Sequence, residues 1–213
     1  MRIIGLAGWS GAGKTTLAAK LIPAITARGL TVSTLKHAHH AFDVDQPGKD
    51  SYVHRMAGAT EVLVSSQNRI ALMHELRGAP ELTLAALLGK LMPVDLVIIE
   101  GYKRDPHPKL EVFRASVGKP LIHPQDPHVV AIASDVPLPQ VTVPRVALDD
   151  IDAIADLMLA RAAAPVAAAE QMAEENAAQD VCPHCGSLVS YSAASRAAAP
   201  KDHEMVALLG REA

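Results

Sequence analysis

The sequence predicts an α/β fold: a mostly parallel sheet with helices on both faces, plus a loosely ordered C-terminal extension. Three observations predict it. Arg2 to Ala7 reads as a short buried strand that runs through a glycine-rich loop into a helix. Two more continuous apolar runs, around Val94 to Ile99 and Val129 to Ala133, have the composition of central strands covered on both faces. Segments of strand type also alternate with segments of helical period along the chain.

The loop after the first strand is Gly8-Trp9-Ser10-Gly11-Ala12-Gly13-Lys14-Thr15-Thr16, which fits G-x-x-x-x-G-K-[ST] at every fixed position. Its glycines let the backbone curl so that N–H groups face phosphate oxygens, and the helix start behind adds partial positive charge. Gly11, Ala12, Gly13, Lys14, Thr15 and Thr16 form the expected cradle. Lys14 reaches the β- and γ-phosphates, and the Thr15 hydroxyl can ligate Mg²⁺. The fold expected is therefore a P-loop NTPase that binds a nucleoside triphosphate.

The elements follow in order. A helix is expected over Thr15 to Arg28, with Leu17, Leu21 and Ile25 on one face and Gly29 as the stop. A second strand, Thr31 to Lys36, opens into a long polar loop. A short helix over Ser51 to Ala57 and two strands, Glu61 to Ser65 and Arg69 to His74, come next. A helix over Thr83 to Leu91 is ended by Pro93. The strand from Val94 ends at Glu100-Gly101. Lys109 to Arg114 alternates weakly, Val129 to Asp135 is a buried strand, and Val141 to Val143 reads as the last strand. Asp149 or Asp150 can cap a helix over Ile151 to Arg161 whose stripe is Ile151, Ile154, Leu157 and Met158. Residues 1–162 are expected to be the nucleotide-binding domain. Residues 163–213 read as an alanine-rich linker and a tail with a C-x-x-C element.

Composition removes several classes. The 213 residues suffice for one such domain and some extra. A net charge of −3 and aromatic content of 3% argue against a nucleic-acid partner. No apolar run has the length of a membrane span. The first strand starts at once, with the P-loop where a signal-peptide cleavage site would fall, so a cytoplasmic protein is expected.

Further residues could carry chemistry. Glu100 or Asp95 could hold Mg²⁺, and the strand-end position favours Glu100. Asp135 is either a reader of guanine, whose N1–H and N2–H one carboxylate accepts together, or a turn former ahead of Pro137. His37, His39 and His40, with Lys36, Lys49, Asp43, Asp45 and Asp50, either meet a polyanion with Mg²⁺ or form a solvated loop. Lys103, Arg104 and Lys109 either hold a second phosphate-bearing molecule or solvate a turn. Cys182-Pro183-His184-Cys185 supplies two of the four ligands that Zn²⁺ needs, which His184, His203 or a second subunit could complete.

Taken together, these blocks resemble the MobB family of molybdopterin-guanine dinucleotide biosynthesis adaptor proteins. The resemblance rests on the P-loop, Leu35-Lys36-His37-Ala38-His39-His40, Asp45-Gln46-Pro47-Gly48-Lys49-Asp50-Ser51 and His54 to Ala59. It continues through Ile98-Ile99-Glu100-Gly101-Tyr102-Lys103, Lys109 to Arg114, Ala133-Ser134-Asp135 and Asp149-Asp150-Ile151, and covers about residues 1 to 160. It implies a dimeric GTP-binding protein with weak GTPase activity at best. Such a protein assists a MobA-like molybdopterin guanylyltransferase that joins GMP to molybdopterin. Lys14 and Glu100 would then act on phosphate and Mg²⁺, while His37, Lys49 and their loops would face nucleotide or pterin. The Cys182–Cys185 element departs from the family pattern. Two other classes use the same loop: a small-molecule kinase, and a GTP-dependent metallochaperone carrying metal on its histidines and Cys182/Cys185.

Overall fold

The structure, a computed structural model, describes residues 1–38 and 42–164. Strands β1 (Arg2–Ala7), β2 (Val32–Lys36), β5 (Leu96–Glu100), β6 (Lys109–Phe113), β7 (Val129–Ser134) and β8 (Arg145–Ala147) form one sheet in the order β2-β5-β1-β6-β7-β8. All its pairings are parallel. Between β2 and β5 lie helix α2 (Asp50–Met56), an antiparallel hairpin of β3 (Glu61–Ser65) and β4 (Ile70–His74), and helix α3 (Leu84–Leu88). Helix α1 (Lys14–Thr26) follows β1, and α4 (Ile151–Arg161) follows β8.

The apolar strands are buried on both faces because successive side chains alternate sides. Ile4, Leu6, Leu96, Ile98, Leu110 and Val112 face α1 and α4, where Leu17, Leu21, Ile25, Ile154 and Met158 meet them. Ile3, Val97 and Ile99 face the other way, onto Leu84 and Leu88 of α3. Helices thus cover both faces, as the alternating pattern predicts. Thr83 caps α3 by accepting from Ala86 N at 3.2 Å, and Asp150, of the two candidate aspartates, caps α4 by accepting from Ala153 N at 3.0 Å.

Some expectations need correction. The strand expected at Val141 to Val143 is instead Arg145–Ala147. The 141–143 segment is bracketed by Pro139 and Pro144, which lack the N–H a ladder needs. Val141 turns inward to pack with Leu138, Val129 and Ile132. The segment from Lys109 is not a marginal strand but pairs β1 with β7 inside the sheet. It alternates weakly because its two charged side chains are buried too, each with partners. Lys109 Nζ meets Asp126 at 3.0 Å and Asp105 O at 2.7 Å, while Glu111 accepts from Ile122 N and His123 N at 2.7 and 2.9 Å. Lys109 therefore belongs to no exposed basic segment. On α4, Ile154, Ala155 and Met158 are fully buried, whereas Ile151 and Leu157 are half-buried at its edges. Among the described residues, no helix is long and apolar enough to cross a membrane.

Candidate functional site

The cradle forms where β1 ends. Gly8, Gly11 and Gly13 have φ of 143°, 83° and 93°, which L side chains resist. A Cβ on Gly8 would also stand 2.7 Å from Val112 O. Gly13 is the left-handed N-cap of α1, so Lys14 opens the helix. Lys14 Nζ folds back and donates to Gly8 O at 2.9 Å and Trp9 O at 3.1 Å. Burial holds its ammonium below the usual lysine range; Glu100 opposes that shift, and the positive charges of Lys103 and Lys36 add to it. A phosphate here would relieve this crowding of cations, so the residues fit the ligand the motif implies.

The acid stands opposite. Register puts Glu100 level with Leu6 of β1 and Lys36 of β2, at the carboxyl ends of the strands where α/β sheets hold ligands. Thr15 Oγ1 donates to Glu100 at 3.2 Å, and Lys36 Nζ lies 3.5 Å from both Glu100 Oε1 and Thr15 Oγ1. A hydroxyl and a carboxylate converging here are hard oxygen ligands suited to Mg²⁺. Asp95 sits at the opposite end of β5, where it accepts from Thr31 N at 2.8 Å and Thr31 Oγ1 at 2.7 Å. Those bonds hold its carboxyl below the usual range. Of the two acids, only Glu100 is at the cradle.

Around this centre the expected residues divide. Ala12 is buried in the loop and Thr16 is exposed on the first turn of α1. His37 lies at the mouth: its N–H donates to Glu100 O at 2.8 Å, and its Nε2 is 2.7 Å from Glu81 Oε1. Gly101 permits this approach, since a Cβ there would come 2.8 Å from His37 Cβ. Asp135 follows β7, and its Oδ1 accepts from Ala115 N at 2.9 Å, which ties it to the turn after β6. Lys49 stands at the N-terminus of α2, and among the described residues its side chain makes no hydrogen bond or ion pair with the cradle. The loop acids are engaged elsewhere. Arg55 gathers Asp43 at 2.6 Å, Glu75 at 3.1 Å and Asp45 at 3.5 Å, pinning the loop to α2 and the hairpin. Among the described residues no cluster of His, Cys, Asp and Glu could hold a metal by itself. His39, His40, Cys182, His184, Cys185 and His203 lie outside the described residues.

Sequence reasoning missed Arg114 as a site residue. It follows β6, the strand beside β1, and its Nε donates to Ala12 O at 3.2 Å. A Cβ on Gly13 would stand 3.4 Å from the same nitrogen. Among the described residues its guanidinium has no carboxylate partner, so it is a cation at the lip of the cradle. Its place depends on which strand neighbours β1, and local sequence does not carry that. Trp9 is held by Nε1 donating to Pro120 O at 2.7 Å, and Lys103 Nζ lies 5.5 Å from its ring centroid.

Comparison with known proteins gives a consistent picture. The family described as Molybdopterin guanine dinucleotide synthesis protein B (MobB) matches residues 3–135. The molybdopterin-guanine dinucleotide biosynthesis adapter protein of Escherichia coli K12 is 44% identical over 160 residues, 74% of this chain and 91% of that protein. The Haemophilus influenzae protein of the same description is 41% identical over 137 residues, 64% of this chain and 76% of its own. Among solved structures, Bacillus subtilis MobB superposes with a TM-score of 0.58 at 24% identity, covering 76% of this chain and 98% of that one. A structure titled molybdopterin-guanine biosynthesis protein B gives 0.57 at 23% identity, covering 74% and 98%. At such identities these two likenesses speak to the fold.

Proposed function

The chain belongs to the Molybdopterin guanine dinucleotide synthesis protein B family, and from that membership we propose that its P-loop binds GTP with Mg²⁺. As an adapter in molybdopterin guanine dinucleotide biosynthesis, it does so in the service of a molybdopterin guanylyltransferase. The observation that carries the reading is the convergence of Lys14, Thr15, Lys36 and Glu100 at one sheet edge. Lys14 and the loop N–H groups hold phosphate, Thr15 and Glu100 hold the metal, and Arg114 adds charge at the lip. A bound Mg²⁺ would neutralise the phosphates between Lys14 and Glu100.

Guanine selectivity falls to Asp135. It follows a strand two positions from β1, on the side away from Glu100, and a carboxylate pairs with both N–H donors of guanine, which adenine does not offer. Hydrolysis by the chain alone is weak in this reading, which gives Glu100 to the metal beside Thr15 and Lys36.

The partner enzyme is of the guanylyltransferase type, the setting is cytoplasmic, and the chain works as a homodimer. Leu63, Ile70 and Leu72 of the hairpin are 64%, 69% and 55% exposed, and Val53 and Met56 of α2 are exposed as well. Such a patch supports a second copy as its cover. Zinc on Cys182 and Cys185 would be a separate feature of residues 163–213, and metal content that follows Cys182→Ser would establish it. The curated relatives are described as adapter proteins, which favours neither the kinase nor the metallochaperone reading.

The direct test is calorimetry of GTP binding to the Lys14→Ala variant. Binding lost with the fold intact supports the assignment, and unchanged affinity sinks it.

A further inference from the structure

A second cavity shares Lys36 with the space beside the phosphate cradle. A pocket of about 430 Å³ opens between the carboxyl ends of β2 and β5, the end of the hairpin and the start of α3. Leu76, Leu82, Leu87 and Tyr102 make much of its wall apolar and aromatic, and Glu81 is its one carboxylate, among the lysines and histidines that also line it. Lys36 belongs to both spaces, since its Nζ is 3.5 Å from Thr15 Oγ1 while its side chain lines the pocket. Glu81 bonds His37 through Oε1, and among the described residues its Oε2 has no hydrogen-bond partner. A cavity of this size with much of its wall apolar and one carboxylate suits a flat bicyclic heterocycle that carries N–H donors.

We propose that this pocket seats the pterin ring of a pterin–guanine dinucleotide whose two phosphates lie in the P-loop and whose guanine reaches Asp135. The proposal rests on the GTP reading and extends it from the nucleotide donor to the dinucleotide product. Pterin and guanine share the same 2-amino-4-oxo edge, on which a ring N–H and an amino group sit side by side. One carboxylate accepts from both. The site has an acid for that edge on each side of the cradle, Glu81 beside β2 and Asp135 after β7. The order β2-β5-β1-β6-β7 puts the P-loop between them. Four strand spacings span about 19 Å, a distance over which α/β sheets lay dinucleotides across their carboxyl edge.

Lys36 marks the junction. The third phosphate of GTP and the link from the second phosphate to the pterin would both fall beside it. GTP and the dinucleotide therefore exclude one another, and the chain can take up the product that its partner enzyme makes.

The test uses the full chain and a metal-free, oxidised, fluorescent pterin–guanine dinucleotide, read by fluorescence anisotropy, with GDP as the reference ligand. The dinucleotide should bind at least tenfold tighter than GDP and be displaced by GTP. Glu81→Gln should weaken the dinucleotide about tenfold and move GDP less than twofold. Leu76→Trp, which fills the pocket from the hairpin side, should do the same. Dinucleotide affinity no better than that of GDP overturns the proposal, as does an equal loss of both ligands in the two variants. If the wild-type chain binds no guanine nucleotide at all, the GTP reading fails and this one falls with it. If it binds GTP and GDP but gains nothing from the pterin, this proposal alone fails.

Discussion

Lys14 satisfies its ammonium with two carbonyls of its own loop, acceptors that a charged phosphate oxygen outcompetes. Lys14→Ala should therefore weaken GTP about 100-fold, close to 2.7 kcal/mol, and leave the melting curve in place, because the lost bonds lie at a loop surface. Arg114 is the less obvious cation, and Arg114→Ala should cost about tenfold in GTP affinity by calorimetry if its guanidinium meets phosphate. A third residue governs pH. His107 is 1% exposed beneath β1, and burial pulls its pKa down to about 3 from 6.5. The folded chain keeps it neutral while the unfolded chain protonates it below pH 6.5. Stability is thus complete above that pH and falls as pH drops toward 3, by at most about 1.4 kcal/mol per unit. Burial raises Asp105 and Glu111, which acts in the opposite direction within the carboxylate range. The clearest window is accordingly pH 6.5 to 5. Urea unfolding at those two pH values should show the loss in the wild type and a flatter response in His107→Leu. An equal slope in both would assign the dependence to another group.

At the scale of elements, β1, the P-loop and α1 were legible in sequence because their signals are local: an apolar run, a spaced glycine motif and a leucine stripe. The strand ending in Glu100 was legible for the same reason. The role of β6 was not, because Lys109 and Glu111 look like surface residues until Asp126 and the Ile122–His123 backbone are brought beside them. Breaking that buried pair should be severe. Asp126→Ala is expected to cost about 3–5 kcal/mol in chemical denaturation, and a loss below 1 kcal/mol would mean that Lys109 finds water. The long polar loop was open to two readings in sequence, and the ion pairs of Asp43 and Asp45 with Arg55 were not legible there, because the clamp, with Glu75, is assembled from three separate segments. The β3–β4 hairpin was placed correctly by its alternation, yet only its exposure identifies it as a surface that wants a cover. Ile70→Lys with Leu72→Lys should shift the chain to monomer in light scattering while leaving GTP affinity intact. A persistent dimer would put the interface elsewhere.

At the scale of the whole molecule, the parallel sheet brings Glu100 and Lys36, on one side of β1, and Arg114 and Asp135, on the other, to the carboxyl edge proposed to hold the nucleotide. Among the described residues, the three core clusters support this edge. Removal of residues 165–213 should consequently spare GTP binding, and a large loss would mean that those residues complete the site. The measurement that tests the central claim most directly is a calorimetric titration of the full chain with GTP, and separately with ATP, in the presence of Mg²⁺. GTP binding at least tenfold tighter than ATP, with that margin eroded in Asp135→Asn, is the predicted result. Equal or tighter ATP binding, or no response to either nucleotide, would contradict it.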